Sequence, residues 1–425
     1  MNLARIAWRY LWSRPLVTIA AVIGIGLGVG LICTVLTLRR ETEASFKREA
    51  GLFHLVVGAK GSPLQLVLST VYHLDVPTGN IPVTRYQALK ADPRVAAAYA
   101  IGLGDNYKVW RIVGTEPDYF DMKDPETVNP RAGNAGVKVL EFAQGGVYKE
   151  PFDVVLGATV AAQSGLQMGA TFAGTHGLVK GSEEHSEFPY RVVGILKPSG
   201  TSQDRAVFAP LESIWRIHEH ELEEENAGKG AAEAAKPQGK GPRDEVTAVL
   251  IQLKARGSML AMIPEIQNNT ESMPANPVSE VLRLYQNVLA PMQNALLAVA
   301  ALVVIVSVLT VMTTLYQAAE RRRKDIAIIR TLGGRPWEVF VLSMAEAMLL
   351  SVIGIALGVL LGHGGLALAA SLWQARMGVA LHAWSVDSME VVLLAIVFLS
   401  GSIGGLVPAL VSYRRSPSGD LHGGS

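Results

Sequence analysis

Four stretches of this chain are apolar enough, for long enough, to cross a bilayer, and they limit every other choice of fold. Leu16 to Leu38 carries no charge, and neither does Leu284 to Ala319. Val339 to Leu361 contains only Glu346, and Val391 to Val411 is again uncharged. A hydrocarbon core of roughly 30 Å needs about 20 apolar residues in a helix, so each run is a span. Hydrophobic residues make up 49% of the 425 residues and charged ones only 18%. That share of charge is below the roughly 25% of soluble domains, yet too high for a chain that is membrane throughout. The composition is that of a few spans joined to a large aqueous part. A net charge of +1 excludes a strongly basic nucleic-acid binder. Cys33 is the sole cysteine, which excludes an intramolecular disulfide and a zinc cage built of cysteines.

Lys and Arg in the short segments set the orientation. Arg5, Arg9 and Arg14 precede the first run, Arg321, Arg322, Arg323, Lys324, Arg330 and Arg335 lie between the second and third, and Arg414 and Arg415 follow the fourth. Both termini and the 321–335 segment are therefore expected in the cytoplasm. The stretch from Arg39 to Arg283 is expected outside; its 26 Lys and Arg against 30 Asp and Glu suit a translocated domain. The first run exceeds the usual apolar length of a signal peptide and no convincing A-x-A site follows, so it reads as an uncleaved anchor.

The expected fold is a helical membrane protein of four transmembrane helices, with a large α+β extracytoplasmic domain between the first and second. Spans are expected over 16–38, 285–317, 339–365 and 389–412. The outer domain covers 39–284, with stalk helices at its ends and a flexible Gly-, Ala- and Lys-rich loop over 227–242. An amphipathic interfacial helix is expected over 1–15, with Leu3, Ile6, Ala7, Tyr10 and Leu11 on one face. A cytoplasmic helix over 320–336, a short outer link over 366–388 and a cytoplasmic tail over 413–425 complete the layout. Strand-like runs at Val109–Val113, Val154–Leu156, Tyr190–Leu196 and Val246–Leu253 alternate with helix-like stretches at Arg85–Ala91, Thr159–Gly165 and Leu211–His220.

Glycines recur every four residues in the spans, at Gly26 and Gly30, at Gly354, Gly358 and Gly362, and at Gly401 and Gly405. Such faces let helices approach closely, either within one subunit or at a dimer seam. Glu346 is an intramembrane acid and a functional candidate; the alternative is a carboxylate near the interface. His363 is about 25 Å from it along a helix, too far to be its partner. His218 and His220 lie in the acidic run H-E-H-E-L-E-E-E, which suits zinc or a similar ion, or simply a solvated loop. On a helix the two point about 200° apart and cannot chelate from one face. No G-x-x-x-x-G-K-[ST], G-x-S-x-G or H-E-x-x-H occurs, so the chain shows no P-loop and no familiar hydrolase site.

The segment Lys324-Asp-Ile-Ala-Ile-Ile-Arg-Thr-Leu-Gly-Gly334 places Ile326, Ile329 and Gly333 on one helix face, with a glycine pair to end the helix. It resembles the [RK]-x-E-I-[AG]-x-x-[RK]-A-x-G-A segment of FtsX/MacB/LolC-type ABC transporter permeases, with Asp325 for the usual Glu and Gly334 for the usual Ala. The following V-F-x-L-S-M-A-E-A-M-L-L-S-V-I-G, with Glu346 before the apolar run, resembles that family too. Gly114-Thr-Glu-Pro-Asp-Tyr-Phe120 is similar to a stretch of MacB-like outer domains, and Val56-Val-Gly-Ala-Lys-Gly-Ser-Pro63 to small stand-alone permeases.

The resemblance implies a homodimer of permease chains working with two copies of a separate ABC-type ATPase, which would hold ATP and Mg²⁺. Lys324, Asp325, Ile326, Ile329, Arg330, Gly333 and Gly334 would form the coupling helix in a groove of that ATPase. ATP-driven closure would move the outer domain, a mode called mechanotransmission, for export or envelope handling of a peptide, lipoprotein or hydrophobic substrate. A periplasmic or lipoprotein partner and membrane lipid fit this picture. This chain would not itself be an enzyme and would bind no cofactor, apart from zinc at the His218/His220 run. The competing reading is a membrane sensor or scaffold whose outer domain binds an envelope ligand or metal. A membrane hydrolase finds no nucleophile and base to support it.

Overall fold

The structure is a computed structural model that describes residues 9, 15–129, 134–176, 187–228, 244–268, 271–321, 336–377 and 382–414. The chain divides into two units. One comprises Met1–Thr42, Val288–Leu372 and Leu381–Ser425, and the other comprises Glu43–Asn287 and Trp373–Ala380. The helices that matter below are α1 (Pro15–Ala50), α2 (Pro63–Thr70), α3 (Leu211–Gly228), α4 (Pro277–Leu284), α5 (Ala290–Arg321), α6 (Pro336–Met377) and α7 (Ser388–Arg414).

Among the described residues four helices are long and apolar enough to cross a membrane: α1, the run from α4 through α5, α6 and α7. Their shared core holds Ile25, Val29 and Cys33 of α1, Ala300, Val304 and Val311 of α5, and Leu350 of α6. Large apolar side chains such as Leu302, Ile305, Leu360, Leu399 and Ile403 face outward, as lipid-facing residues do. α1 does not stop with its apolar run. The charged segment Arg39–Ala50 continues it, since nothing there breaks a helix, and α1 is helical over 36 residues. α6 likewise extends to Met377, so residues 366–377, expected in a link, are helical; their Ala- and Leu-rich sequence contains no proline. α4 starts at Pro277, with Asn276 Oδ1 accepting from Ser279 N at 3.2 Å. A π-helical turn over Tyr285–Leu289 separates α4 from α5. It falls just before Pro291, which has no N–H to give to the helix ladder.

The other unit is built on an 11-stranded mixed sheet. Its principal strands are β1 (Leu55–Gly58), β2 (Val95–Tyr107), β3 (Trp110–Thr115), β4 (Phe142–Gly145), β5 (Asp153–Leu156), β6 (Tyr190–Leu196), β7 (Val207–Pro210), β8 (Ala248–Leu253) and β9 (Met273–Ala275). Their order is β9-β1-β8-β2-β3-β7-β5-β6-β4; β7 with β3 and β6 with β5 run parallel, and the other neighbours antiparallel. Central strands are buried on both faces, so alternate residues feed different cores. Val56, Tyr99, Ile101, Val113, Phe208 and Leu250 point to one aromatic-rich core. Leu55, Val57, Ala100, Val249 and Ile251 point to the opposite side, as do Ile112, Val207 and Ala209 in a separate cluster. β2 is the strand that periodicity hides, because V-A-A-A-Y-A reads as a helix former.

Candidate functional site

In the four-helix unit the glycine repeats face one another. A Cβ on Gly354 would lie 2.7 Å from Ile25 Cβ, and one on Gly358 2.5 Å from Val29 Cβ and 2.8 Å from the Gly26 carbonyl oxygen. One on Gly362 would lie 2.7 Å from Cys33 Cβ and 2.9 Å from the Gly30 oxygen. α1 and α6 therefore touch backbone to backbone, with no room for a side chain at any of the three α6 positions. Gly401 and Gly405 of α7 sit in the same manner on Ser351 and Ala347 of α6. These contacts lie within a single chain.

Glu346 is 5% exposed in α6, next to the Ala347 that receives Gly405. A second buried acid, Glu390, is 1% exposed and sits in the first turn of α7. There the unpaired N–H groups of the helix start favour a carboxylate. His363 of α6, also 1% exposed, is its partner, with Nε2 2.6 Å from Glu390 Oε1. The other ring nitrogen, Nδ1, lies 2.5 Å from the Ala383 carbonyl oxygen. Trp384 stacks on the imidazole, with ring centroids 5.8 Å apart and planes 19° from parallel. Cys33, fully buried, completes the cluster: one ligand atom each from Cys33, His363 and Glu390 lies within 4.8 Å of the others. The sequence signal for Glu390 is an acid one place before an uncharged run; counting the run alone passes over it.

In the α/β unit, the stretch Gly114–Phe120 is architectural. A Cβ on Gly114 would collide with Ile214 of α3. Thr115 Oγ1 donates to the Ala100 carbonyl at 2.9 Å, while the Thr115 carbonyl accepts from Tyr148 Oη at 2.6 Å. Tyr119 and Phe120, on a 3₁₀ turn over Pro117–Asp121, enter the core and meet Phe208 at centroid distances of 5.6 and 5.7 Å. In Val56–Pro63, Gly58 makes room for Leu66, and Ser62 caps α2 with Pro63 at its first position.

A polar junction lies under this core. Glu49 Oε1 accepts from Ser202 N at 2.6 Å, and Gln203 Oε1 accepts from Tyr119 Oη at 2.9 Å and lies 3.1 Å from His73 Nε2. Burial pushes the Glu49 carboxyl up to about 7, against the Ser202 donors that hold it down. Burial pushes the His73 imidazole down to about 4, only partly offset by the hydrogen bond to Gln203.

His218 and His220, both on α3, meet different neighbours. His218 Nε2 packs where a Cβ on Gly104 would be, 2.9 Å away. His220 Nε2 lies 3.3 Å from Glu187 Oε2, and its ring stands edge-on to Phe188. Among the described residues neither belongs to a cluster of three or more metal-binding side chains. Lys324, Asp325, Ile326, Ile329, Arg330, Gly333 and Gly334 lie outside the described residues, as do most of the 1–15 helix and of the 227–242 loop.

Two family descriptions match the chain: "MacB-like periplasmic core domain" over residues 18–268 and "FtsX-like permease C-terminal" over residues 297–417. The chain is 26% identical over 249 residues to an uncharacterized ABC transporter permease of Methanocaldococcus jannaschii, covering 55% of each chain. It is 22% identical over 429 residues to the macrolide export ATP-binding/permease protein MacB of Nitrosomonas europaea, covering 97% of this chain and 58% of that one. The chain thus spans a little over half the length of these curated relatives. The crystal structure of the periplasmic region of MacB from Actinobacillus actinomycetemcomitans aligns with a TM-score of 0.33 at 10% identity, over 57% of this chain and 96% of that one.

Proposed function

Because the chain belongs to the MacB- and FtsX-type ABC transporter permeases, we propose that it is the membrane subunit of a complex driven by ATP on a separate ATPase. Two permease chains pair with two ATPase subunits, and both termini of each permease are cytoplasmic. The Ile326–Gly334 segment docks in a groove of the ATPase, and nucleotide-dependent closure displaces it. α6 begins at Pro336, directly after that segment, and receives the displacement. Through the glycine contacts it moves α1, which runs unbroken to Ala50. The extracytoplasmic domain then acts on a peptide, lipoprotein or hydrophobic substrate at the outer face. A ligand can shift such an equilibrium only by binding its two states differently, and ATP at the partner supplies that difference.

The observation that carries this reading is the pair of family matches in one chain, in the order outer domain then permease end. The absence of a P-loop motif from these 425 residues agrees with ATP held elsewhere. The test is isolation of the chain from its native membranes with any P-loop ATPase that accompanies it, followed by ATP turnover with and without the chain. Arg330→Glu and Gly333→Trp should lower the chain-dependent turnover at least tenfold while membrane insertion is unchanged. Absence of an ATPase, or turnover indifferent to both variants, would transfer the assignment to an envelope sensor or scaffold.

A further inference from the structure

Cys33, His363 and Glu390 come from three different helices and meet in the interior of the four-helix unit. The hydrogen bonds fix the imidazole's state. A carbonyl oxygen only accepts, so Nδ1 carries a proton and donates it to Ala383. In a neutral ring this leaves a lone pair on Nε2, aimed at a carboxylate oxygen 2.6 Å away. Two lone pairs at that distance repel unless a positive centre lies between them, which is either a proton or a metal ion. Holding Nδ1–H on a backbone carbonyl is also how proteins orient the imidazole of a metal ligand, with Nε2 toward the ion.

We propose that Cys33, His363 and Glu390 form a binding site for a divalent transition-metal ion of the zinc type, buried within the helix bundle. Charge balance selects the valence. The thiol and the His–Glu pair with its one shared proton are together neutral. One M²⁺ ion replaces the thiol proton and the shared proton, leaving thiolate, neutral imidazole and carboxylate around it, again neutral. A bundle interior that penalises net charge accepts that exchange; with all three groups ligating, so that both protons are displaced, a monovalent or trivalent ion would leave a charge behind. Ligand softness selects the element class: thiolate, imidazole and carboxylate are zinc donors, whereas Mg²⁺ and Ca²⁺ take oxygen ligands. Zinc–ligand bonds of about 2.0 Å in a tetrahedron set N and O about 3.3 Å apart, so the Glu390 carboxylate swings back by under about 1 Å on binding. A fourth coordination position remains for water or another donor. The site is independent of the ATPase assignment, since all three protein ligands come from this chain.

The test uses the full chain in detergent micelles, titrated with Co²⁺. The expected result is one cobalt per chain, with the visible bands of a four-coordinate ion and a near-ultraviolet thiolate-to-cobalt band, both erased by added Zn²⁺. Since the chain has a single cysteine, that band identifies Cys33 without any variant. Cys33→Ser should abolish the band, and His363→Gln and Glu390→Gln should each weaken cobalt binding at least tenfold. Cobalt bound without the thiolate band, as at the surface His218 and His220 run, would overturn the proposal. So would no cobalt bound, which would leave the trio a hydrogen-bonded tie between α1, α6 and α7.

Discussion

The α/β unit and the four-helix unit fill their interiors with opposite materials. The first is packed with large rings: Tyr99, Tyr119, Phe120, Tyr148 and Phe208 meet at centroid distances of 5.5 to 5.7 Å. The second is packed at α1 and α6 by leaving side chains out, at Gly354, Gly358 and Gly362. The difference follows from the solvent each faces. Removing aromatic area from water drives the α/β unit together. Lipid tails are as apolar as leucine, so burial alone brings spans no gain, and close backbone approach with dispersion contacts takes over.

The sharpest way to break this comparison is to remove a ring. Phe208→Ala should destabilise the α/β unit by about 3–5 kcal/mol, measured by urea unfolding of the full chain in detergent. A loss under about 1 kcal/mol would mean the rings do not dominate that core.

Adding atoms to the glycine seam is the converse. Gly358→Ala should cost about 1–3 kcal/mol by overpacking against Val29 and the Gly26 carbonyl. Gly365→Ala, with nothing within 4 Å of the new methyl, should be neutral or slightly stabilising through helix propensity. Equal thermal midpoints for the two variants would dissolve the seam as an explanation.

The polar junction of the α/β unit refines the contrast through pH. Glu49 has a folded value of about 7, above its ordinary 4.5. Its contribution is fully present below pH 4.5 and is lost as pH rises through 7, at about 1.4 kcal/mol per pH unit. His73 has a folded value of about 4, below its ordinary 6.5, so stability rises as pH goes from 4 to 6.5. The two slopes oppose each other between pH 4.5 and 6.5; Asp204, also raised by burial, adds to the Glu49 side. His73→Asn, tolerated at the left-handed φ of 56° there, should expose the falling slope. Glu49→Gln should shift the balance toward the rising one. Urea midpoints at pH 4.5, 5.5, 6.5 and 7.5 check this, and profiles parallel to the parent protein's would refute it.

Much of the fold was readable in one dimension because span length and strand alternation are local properties. The apolar run at Leu16–Leu38 lies within α1, and Tyr190–Leu196 coincides with β6. β2 was not readable, since alanines in a strand gain from neighbours on both sides rather than from their own preference. The glycine repeats marked close approach without naming the partner; only the fold shows that Gly362 meets Cys33. The metal-binding trio was illegible for the same reason. His363 and Glu390 are 27 positions apart, Cys33 lies in another helix, and no spacing rule joins them. Along its own helix the acid weighed for His363 was Glu346, which a distance of about 25 Å rules out, and the true neighbour comes from α7.

The backbone contact between α1 and α6 has a mechanical corollary. Side-chain layers yield under load because rotamers can hop, and a joint made of them creeps. Glycine Cα atoms set against carbonyl oxygens have no rotamers, so this joint is stiff and stores little strain before it slips. Where α1 meets α5, Gly28 instead faces the branched side chain of Val304, which has a rotamer to change, so the α1–α5 contact is the more yielding of the two.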